Sequence, residues 1–594
     1  MQSASGVFYQ GIKNIVLLLC VLFSSVAICQ QPAELIRLNQ LGFYPTAPKQ
    51  AVIVGAGGKK TFYIKDAVSK KTSFTGKLSN PIKNPLAEKS NVIADFSDFQ
   101  QVGKYFMDIP GLGQSYPFEI KKDVHRNAAI GALKGFYYQR TFINLEPRYA
   151  GKWVRAAGHP DTAVYVHSSA ATAQRREGTV ISSPLGWYDA GDYNKYVVNS
   201  GITVATLLSL YEDFPDGCKS FKTNIPESGN VLPDVLDEAL FNLRWMLTMQ
   251  DPNDGGVYHK LTNANFDALD LLPARAQKKR YVVQRSTAAT LDFAAVMAQA
   301  SRIFTPFAKE MPHFADSCLA AAQQAWQWAQ QHPDVQYDQT ELNKLYEPDI
   351  TTGEYGDKEL SDEWIWAAIE LWTTTQKEEY KAVVNFFPDT DLPLPAWNEV
   401  RTLGYYTLLR LPPALSLLGE RLKIEALKKN LLGLADTMVL SALAHPFHTV
   451  MGRSERDYTW GSNAVAANQG IFLIQAYKLS KDQKYLRAAL TNLDYLLGRN
   501  ATGYCFLTGF GQKQVLHPHH RPSVADNIIE PVPGLLSGGP NPGQQDECPG
   551  YTTKVPDKSF MDDQCSYSTN EIAINWNAPL VYLIMAMEIL QKRL

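Results

Sequence analysis

The chain has 594 residues, 45% of them hydrophobic and 20% charged, with a formal net charge of −2. That length exceeds one ordinary core and calls for two or more domains, one of them large. The near-neutral balance, without long blocks of like charge, excludes a general nucleic-acid binder and a polybasic membrane patch.

At the N-terminus Lys13 precedes an apolar run from Ile15 to Phe23, which grades through Ser24, Ser25, Val26, Ala27, Ile28 and Cys29 into Gln30 and Gln31. This is the pattern of a signal peptide over residues 1–29, and the run is short for a membrane span. A lipoprotein cut before Cys29 is disfavoured by bulky Ile28. The mature chain is expected to be exported, without a transmembrane segment, and to act as a monomer. From 34 to 122 the pattern is that of strands: Gln50–Val54, Thr61–Lys65, Val92–Phe96, Gly103–Ile109 and Tyr116–Ile120 are rich in Val, Ile, Phe and Tyr and are separated by Gly, Pro, Asn and Lys. The spacing predicts a small all-β sandwich of immunoglobulin type.

From 125 to 594 the period becomes helical. Over Leu232–Gln250, Val235, Leu236, Ala239, Leu240, Leu243, Met246 and Leu247 form one apolar face, with Pro233 in the first turn. Similar faces fall at Ala128–Phe142, Thr203–Tyr211, Thr287–Ile303, Leu319–Gln330, Trp364–Trp372, Leu403–Leu418, Asn463–Leu479, Tyr485–Leu497 and Ile574–Leu590. Roughly a dozen helices, with no strand alternation between them and no strict repeat, predict an all-α domain built as a closed toroid of helix pairs. Its long loops are where a site belongs. The five cysteines left after the leader are Cys218, Cys318, Cys505, Cys548 and Cys565. Cys548 and Cys565 share one loop-like stretch and are placed to pair in an oxidising compartment; no spacing among the five suggests zinc.

Three loop-like segments concentrate polar, aromatic and glycine residues. The first runs from Gly186 through Trp187, Tyr188, Asp189, Ala190, Gly191 and Asp192 to Tyr196. Two carboxylates three residues apart can share one small space, where one takes a proton from an attacking water and the other holds that water. A bare pair of this kind is more often a helix cap or an ion-binding turn. The second segment holds His517, Pro518, His519, His520 and Arg521 after Gly509 and Gly511; substrate hydroxyls suit it better than a metal, for which further ligands are missing. The third runs from Phe560 and Asp562 through Tyr567 to Glu571, then Trp576 and Asn577 at the opening of the last helix. A helix N-terminus favours an ionised Glu571, so an acid role requires burial and neighbouring carboxylates to outweigh it.

Together these segments resemble glycoside hydrolase family 9. Gly186–Asp192 is similar to its aspartate motif. Gly511, Lys513 and Pro518–Arg521 follow its histidine signature, with Cys505 as a minor departure, and Phe560, Asp562, Tyr567, Glu571, Ala573, Asn577 and Ala578 fit its acidic signature. The stretches Thr352–Asp357, Asp362–Ala368 and Trp460–Asn463 fit too, and Leu38–Phe43 resembles the opening of the immunoglobulin-like domain in one subset. The resemblance implies an (α/α)6 barrel and inverting hydrolysis of β-1,4-glucans, with endo action expected. Carried over, Asp192 is the general base, Asp189 positions its water, Glu571 is the general acid, His519 and Arg521 contact the sugar, and Asp562 supports the site. Trp187, Tyr188, Trp460, Tyr567 and Trp576 are the aromatics offered to a sugar cleft. The chemistry needs no cofactor. Several relatives with this N-terminal domain carry a zinc site of cysteines and histidines ahead of the aspartate motif, but His159 and His167 have no cysteine beside them here, so no such zinc is expected. Calcium is common in the family, and Asp357, Asp362 and Glu363 are acidic residues able either to bind it or to cap helices. The competing readings are an exo-acting β-glycosidase on cello-oligosaccharides or glucosaminides, a polysaccharide lyase, and a non-catalytic glycan-binding protein.

Overall fold

The computed structural model describes residues 33–55, 58–86, 90–411 and 418–594. The leader expected at 1–29 lies outside the described residues. No described helix is long and apolar enough to cross a membrane.

The N-terminal strands are β1 (Ile36–Arg37), β2 (Gly42–Phe43), β3 (Gln50–Val54), β4 (Thr61–Asp66), β5 (Thr72–Lys77), β6 (Asn91–Asp95), β7 (Gly103–Ile109), β8 (Gly113–Gln114) and β9 (Phe118–Ile120). They form two sheets, β1-β3-β6 and β2-β9-β7-β4-β5, with β8 on β7 and β2 parallel to β9. Alternation sets the faces: Phe62 and Ile64 of β4 enter the core between the sheets with Ile53, Phe96 and Phe118, while Thr61, Tyr63 and Lys65 stay half-buried outside. β3 is buried on both faces, because Val52 packs with Ile93 against Phe447 and Ala501 of the helical domain. β5 is an exposed polar edge strand, which is why its sequence carried no strand signal.

The sandwich is also tied to the helical domain by buried polar groups. Asn39 Nδ2 donates to Asp494 at 2.8 Å and Tyr44 OH to Glu588 at 2.8 Å. Gln40 Oε1 accepts from the backbone N–H groups of Gln512 and Lys513 at 2.7 and 2.8 Å, so a sandwich residue braces the segment leading to His519.

The principal helices are α1 (Arg126–Gln139), α2 (Val197–Asp213), α3 (Asp234–Thr248), α4 (Thr287–Phe304), α5 (Phe314–Gln331), α6 (Ser361–Thr375), α7 (Glu378–Val383), α8 (Arg401–Arg410), α9 (Leu418–Ala444), α10 (Ser462–Ser480), α11 (Gln483–Leu496) and α12 (Ile574–Leu590). Two kinds alternate along the chain. α4 is buried at every position except Arg302, whereas α5 buries one stripe through Ala315, Cys318, Ala322, Ala325 and Ala329. The even-numbered helices contact one another in the order α12-α2-α4-α6-α8, α10 packs on α12, and Tyr406 of α8 meets Phe472 of α10 at 6.4 Å. Each odd-numbered helix packs against an even-numbered neighbour.

Two expectations need correction. The helical domain is not all-α: β10 (Val164–Val166), β11 (Val180–Ile181), β12 (Lys195–Tyr196), β13 (Lys260–Asn263) and β14 (Arg280–Val282) form a sheet in the order β11-β10-β14-β13-β12. Strands of two to four residues are too short to show alternation. The single helix expected over Leu403–Leu418 is not continuous. α8 ends at Arg410, ahead of Pro412 and Pro413, and α9 starts at Leu418.

Candidate active site

Three segments far apart in sequence are stitched together by backbone hydrogen bonds. Gly191 N–H donates to Glu571 Oε1 at 3.3 Å, and Gly191 O accepts from Arg521 N and Nη1 at 3.1 and 2.9 Å. Ile574 N–H donates to Asp189 O at 2.8 Å, and His519 N–H to Asn570 O at 3.0 Å. Gly191 is required for this approach: a Cβ there would lie 2.1 Å from His519 O.

The carboxyls of Asp189, Asp192 and Glu571 are thereby brought to one place. Asp189 is buried, with Oδ1 accepting from Asn199 Nδ2 at 2.6 Å and Oδ2 from Tyr355 OH at 2.8 Å. Burial, then the Asp192 charge beside it, push Asp189 up to about 8, so it keeps its proton near neutrality. Asp192 is anchored through Oδ2 by Asn194 and Tyr196. Glu571 keeps part of its surface open. The protein packed around it, followed by Asp192, holds its carboxyl well above the usual range, against the opposing pull of Arg521. Glu571 precedes α12 rather than lying inside its first turn, and burial with like charge prevails over the backbone donor at Gly191. The arrangement therefore sets a carboxyl of raised proton affinity, Glu571, beside Asp192, the pairing that acid–base chemistry requires.

The other expected residues sort by exposure. His519 is half-buried, donates through Nδ1 to Gln564 O at 2.6 Å, and is kept neutral by burial. Arg521 is buried, donates to Asp267 O at 3.0 Å, and lies over the Phe266 ring at 5.5 Å. Asp562 does not hydrogen-bond to the three carboxyls; it accepts from Leu516 N, His517 N and Asn570 Nδ2 at 2.9, 2.9 and 3.1 Å, joining the histidine loop to the Glu571 segment. Trp460, 40% exposed, and Tyr567 pack at 5.4 Å, and Tyr567 meets His519 at 5.8 Å, so these rings line one wall. Trp576 is half-buried beneath Gly461. Trp187 and Tyr188 are not cleft residues. Trp187 is sealed against Phe136 at 4.7 Å and donates to Glu238; Tyr188 is sealed with its OH on His159 Nδ1 at 2.9 Å. Sequence reasoning gave no role to Asn194 and Tyr196 at the end of the first segment, and missed Asn199 just beyond it and the 42%-exposed Phe266 beside Arg521. Tyr355 lay in a stretch already singled out, but its contact spans 166 residues.

Cys548 and Cys565 form a disulfide with Cα atoms 5.6 Å apart, while Cys218, Cys318 and Cys505 are buried thiols. Asp563 lies near that disulfide, whose bonded sulfurs offer no thiolate to a metal. His159 and His167 have separate partners, His167 bonding Ser169 Oγ and Pro348 O.

A second group of acids lies elsewhere in the helical domain. Asp292, Asp357, Asp362 and Glu363 are buried, with Glu399 beside them. Neither oxygen of Asp292 or of Glu363 has a hydrogen-bond partner among the described residues, and one oxygen each of Asp357 and Glu399 is equally bare. Burial and mutual repulsion raise Asp292 and Glu363 well above the usual range.

Two family models match the chain. One described as glycosyl hydrolase family 9 covers residues 125–584, and one described as a cellulase N-terminal ig-like domain covers 31–114. The chain is 47% identical over 560 residues to a xyloglucan-specific endo-beta-1,4-glucanase, BoGH9A, of Bacteroides ovatus, covering 94% of each protein. It is 34% identical to endoglucanase D of Acetivibrio thermocellus, covering 92% of this chain and 82% of that one. A solved structure titled Bacteroides ovatus GH9 superposes with a TM-score of 0.89 at 45% identity, over 94% of this chain and all of that one.

Proposed function

Since the chain belongs to glycosyl hydrolase family 9, and is a glycoside hydrolase, we propose that it cleaves β-1,4-glucosidic bonds within a glucan chain, by inversion. The observation that carries the reading is the junction at Gly191, which sets the Glu571 carboxyl beside Asp189 and Asp192. Asp192 takes the proton from a water attacking the anomeric carbon, and Asp189 holds that water. Glu571 gives its proton to the leaving oxygen, for which its raised proton affinity suits it. His519 and Arg521 hold the sugar at the cleavage point, Asp562 braces their loop, and Trp460 and Tyr567 supply stacking surface. Likeness to BoGH9A supports xyloglucan, a branched β-1,4-glucan, as the substrate.

The succession of buried and amphipathic helices supports an (α/α)6 barrel, with the even-numbered helices inside and the odd-numbered ones outside. The domains are read as 34–122 and 125–594, and the disulfide agrees with export through the 1–29 leader. The bare oxygens of Asp292, Asp357, Glu363 and Glu399, with Asp362, fit a hard cation such as calcium, which would neutralise their charge and brace α4 and α6. It has no part in bond cleavage.

The test is incubation with xyloglucan, carboxymethyl-cellulose, mixed-linkage glucan and chitosan oligosaccharides. Rapid viscosity loss with few reducing ends, greatest on xyloglucan, is expected. Release of monomer or dimer alone would overturn the endo reading, and no sugar from any substrate would favour a binding protein.

A further inference from the structure

Asp192 is held by one oxygen. Its Oδ2 accepts from Asn194 Nδ2 at 2.5 Å, from Asn194 N at 3.3 Å and from Tyr196 OH at 3.3 Å. Among the described residues no hydrogen bond reaches Oδ1. The two oxygens are therefore unequal, and Oδ1 is the one left with a free lone pair for an incoming proton.

Asn194 is itself fixed from the opposite side. Its Oδ1 accepts from Asn263 N–H at 2.9 Å, Thr262 Oγ1 at 3.1 Å and Arg280 Nη1 at 3.3 Å. A backbone N–H and a guanidinium only donate, so the atom facing them is the carbonyl oxygen and the amide NH2 must face Asp192. Those donors sit on β13 and β14, where Asn263 and Arg280 are paired across the ladder. Arg280 is fixed by Asp161 through Nε at 3.0 Å and Nη2 at 3.3 Å, and Asp161 also pairs with Lys195 Nζ at 2.7 Å. Burial pushes the Asp161 carboxyl up, but Arg280 and Lys195 prevail and bring it down to about 2. All of these groups are buried, so the anchor of Asn194 does not relax into water.

We propose that Asn194 is a positioning residue for the base: the small sheet and the Asp161–Arg280 pair lock its amide so that it pins Asp192 Oδ2 and presents Oδ1 to the attacking water. This rests on reading Asp192 as the general base. A donor on one oxygen favours the charged form and stops the carboxylate from rotating, so it acts on rate more than on substrate affinity. The other charged or titratable groups facing Asp192 are Asp189, Glu571, Tyr196, Lys260 and His519, and none of them supplies a second donor to Oδ1.

The test compares Asn194→Ala, Asn194→Asp and Asp192→Asn in the full chain, with kcat and KM on carboxymethyl-cellulose or whichever soluble glucan the wild type cleaves, across pH. For Asn194→Ala the expected result is a fall in kcat of about tenfold or more, KM within about twofold, and an acid limb moved about one unit higher. Asn194→Asp keeps the shape but sets a second carboxylate against Oδ2, so its acid limb moves further. If the alanine variant does not fold, the aspartate variant decides. An inactive Asp192→Asn together with an unmoved acid limb in the Asn194 variants would overturn the Asn194 role alone. Full activity in Asp192→Asn would overturn the base reading beneath it.

Discussion

The helical domain holds two clusters of carboxyls whose surroundings differ. At the Asp189, Asp192 and Glu571 site, each carboxyl is met by a donor on at least one oxygen: Asn199 and Tyr355 on Asp189, Asn194 and Tyr196 on Asp192, and the Gly191 N–H on Glu571. In the Asp292, Asp357, Asp362, Glu363 and Glu399 group, most oxygens face no donor; Val400 N–H on Asp362 at 2.6 Å and Glu359 N–H on Asp357 at 2.9 Å are exceptions. Each set holds carboxyls raised above their usual range, Asp189 and Glu571 in the first and Asp292 and Glu363 in the second, so a raised affinity alone does not identify a catalytic site. The first set fits the proposed placing of protons, and the second fits the proposed cation.

Removing the acid gives the largest expected effect. Glu571→Gln lowers turnover of natural glucan by about 10³-fold, but spares aryl glucosides with activated leaving groups, which need less protonation. On those substrates it also removes the alkaline limb of the rate profile, which in the wild type falls as Glu571 loses its proton. Equal loss on both substrate classes would remove Glu571 from the acid role.

A matched pair separates the two sets. Asp189→Asn lowers kcat by about 10²-fold with the melting temperature held. Asp292→Asn leaves low-temperature kcat near wild type and lowers the melting temperature. A chelator acts likewise on the wild type, lowering the melting temperature by about 5 °C, with recovery on adding calcium. A melting temperature indifferent to both chelator and calcium would leave the bare oxygens unexplained and sink the cation reading. The smallest effect is at the cleft wall: Trp460→Ala raises KM about fivefold, near 1 kcal/mol, without loss of stability. Stability loss with unchanged KM would place that ring with Trp187 in the core.

The sequence made most of this frame legible. Apolar faces at helical spacing marked α3, α4, α10, α11 and α12, and alternation marked β3, β4 and β7, because long periodic elements report their own burial. Glu571 was found through the spacing of its signature, although its contact with Gly191 spans 380 residues. Other features depend on partners that no local pattern encodes. Trp187 and Tyr188 flank the aspartates in sequence, yet the turn at Gly186, with φ of +84°, directs them inward. Asp292 and Glu399 lie far from Asp362 and Glu363 along the chain, so two members of the acid group were invisible beside the three expected. The strands that lock Asn194 are too short to announce themselves, although they sit behind the proposed base.

The central claim is that Asp192 and Glu571 act from opposite sides of the scissile bond. Proton NMR of the first product released from a β-1,4-glucan tests it most directly. The account predicts the α-anomer before mutarotation, the signature of inversion; a β-anomer formed first would contradict it.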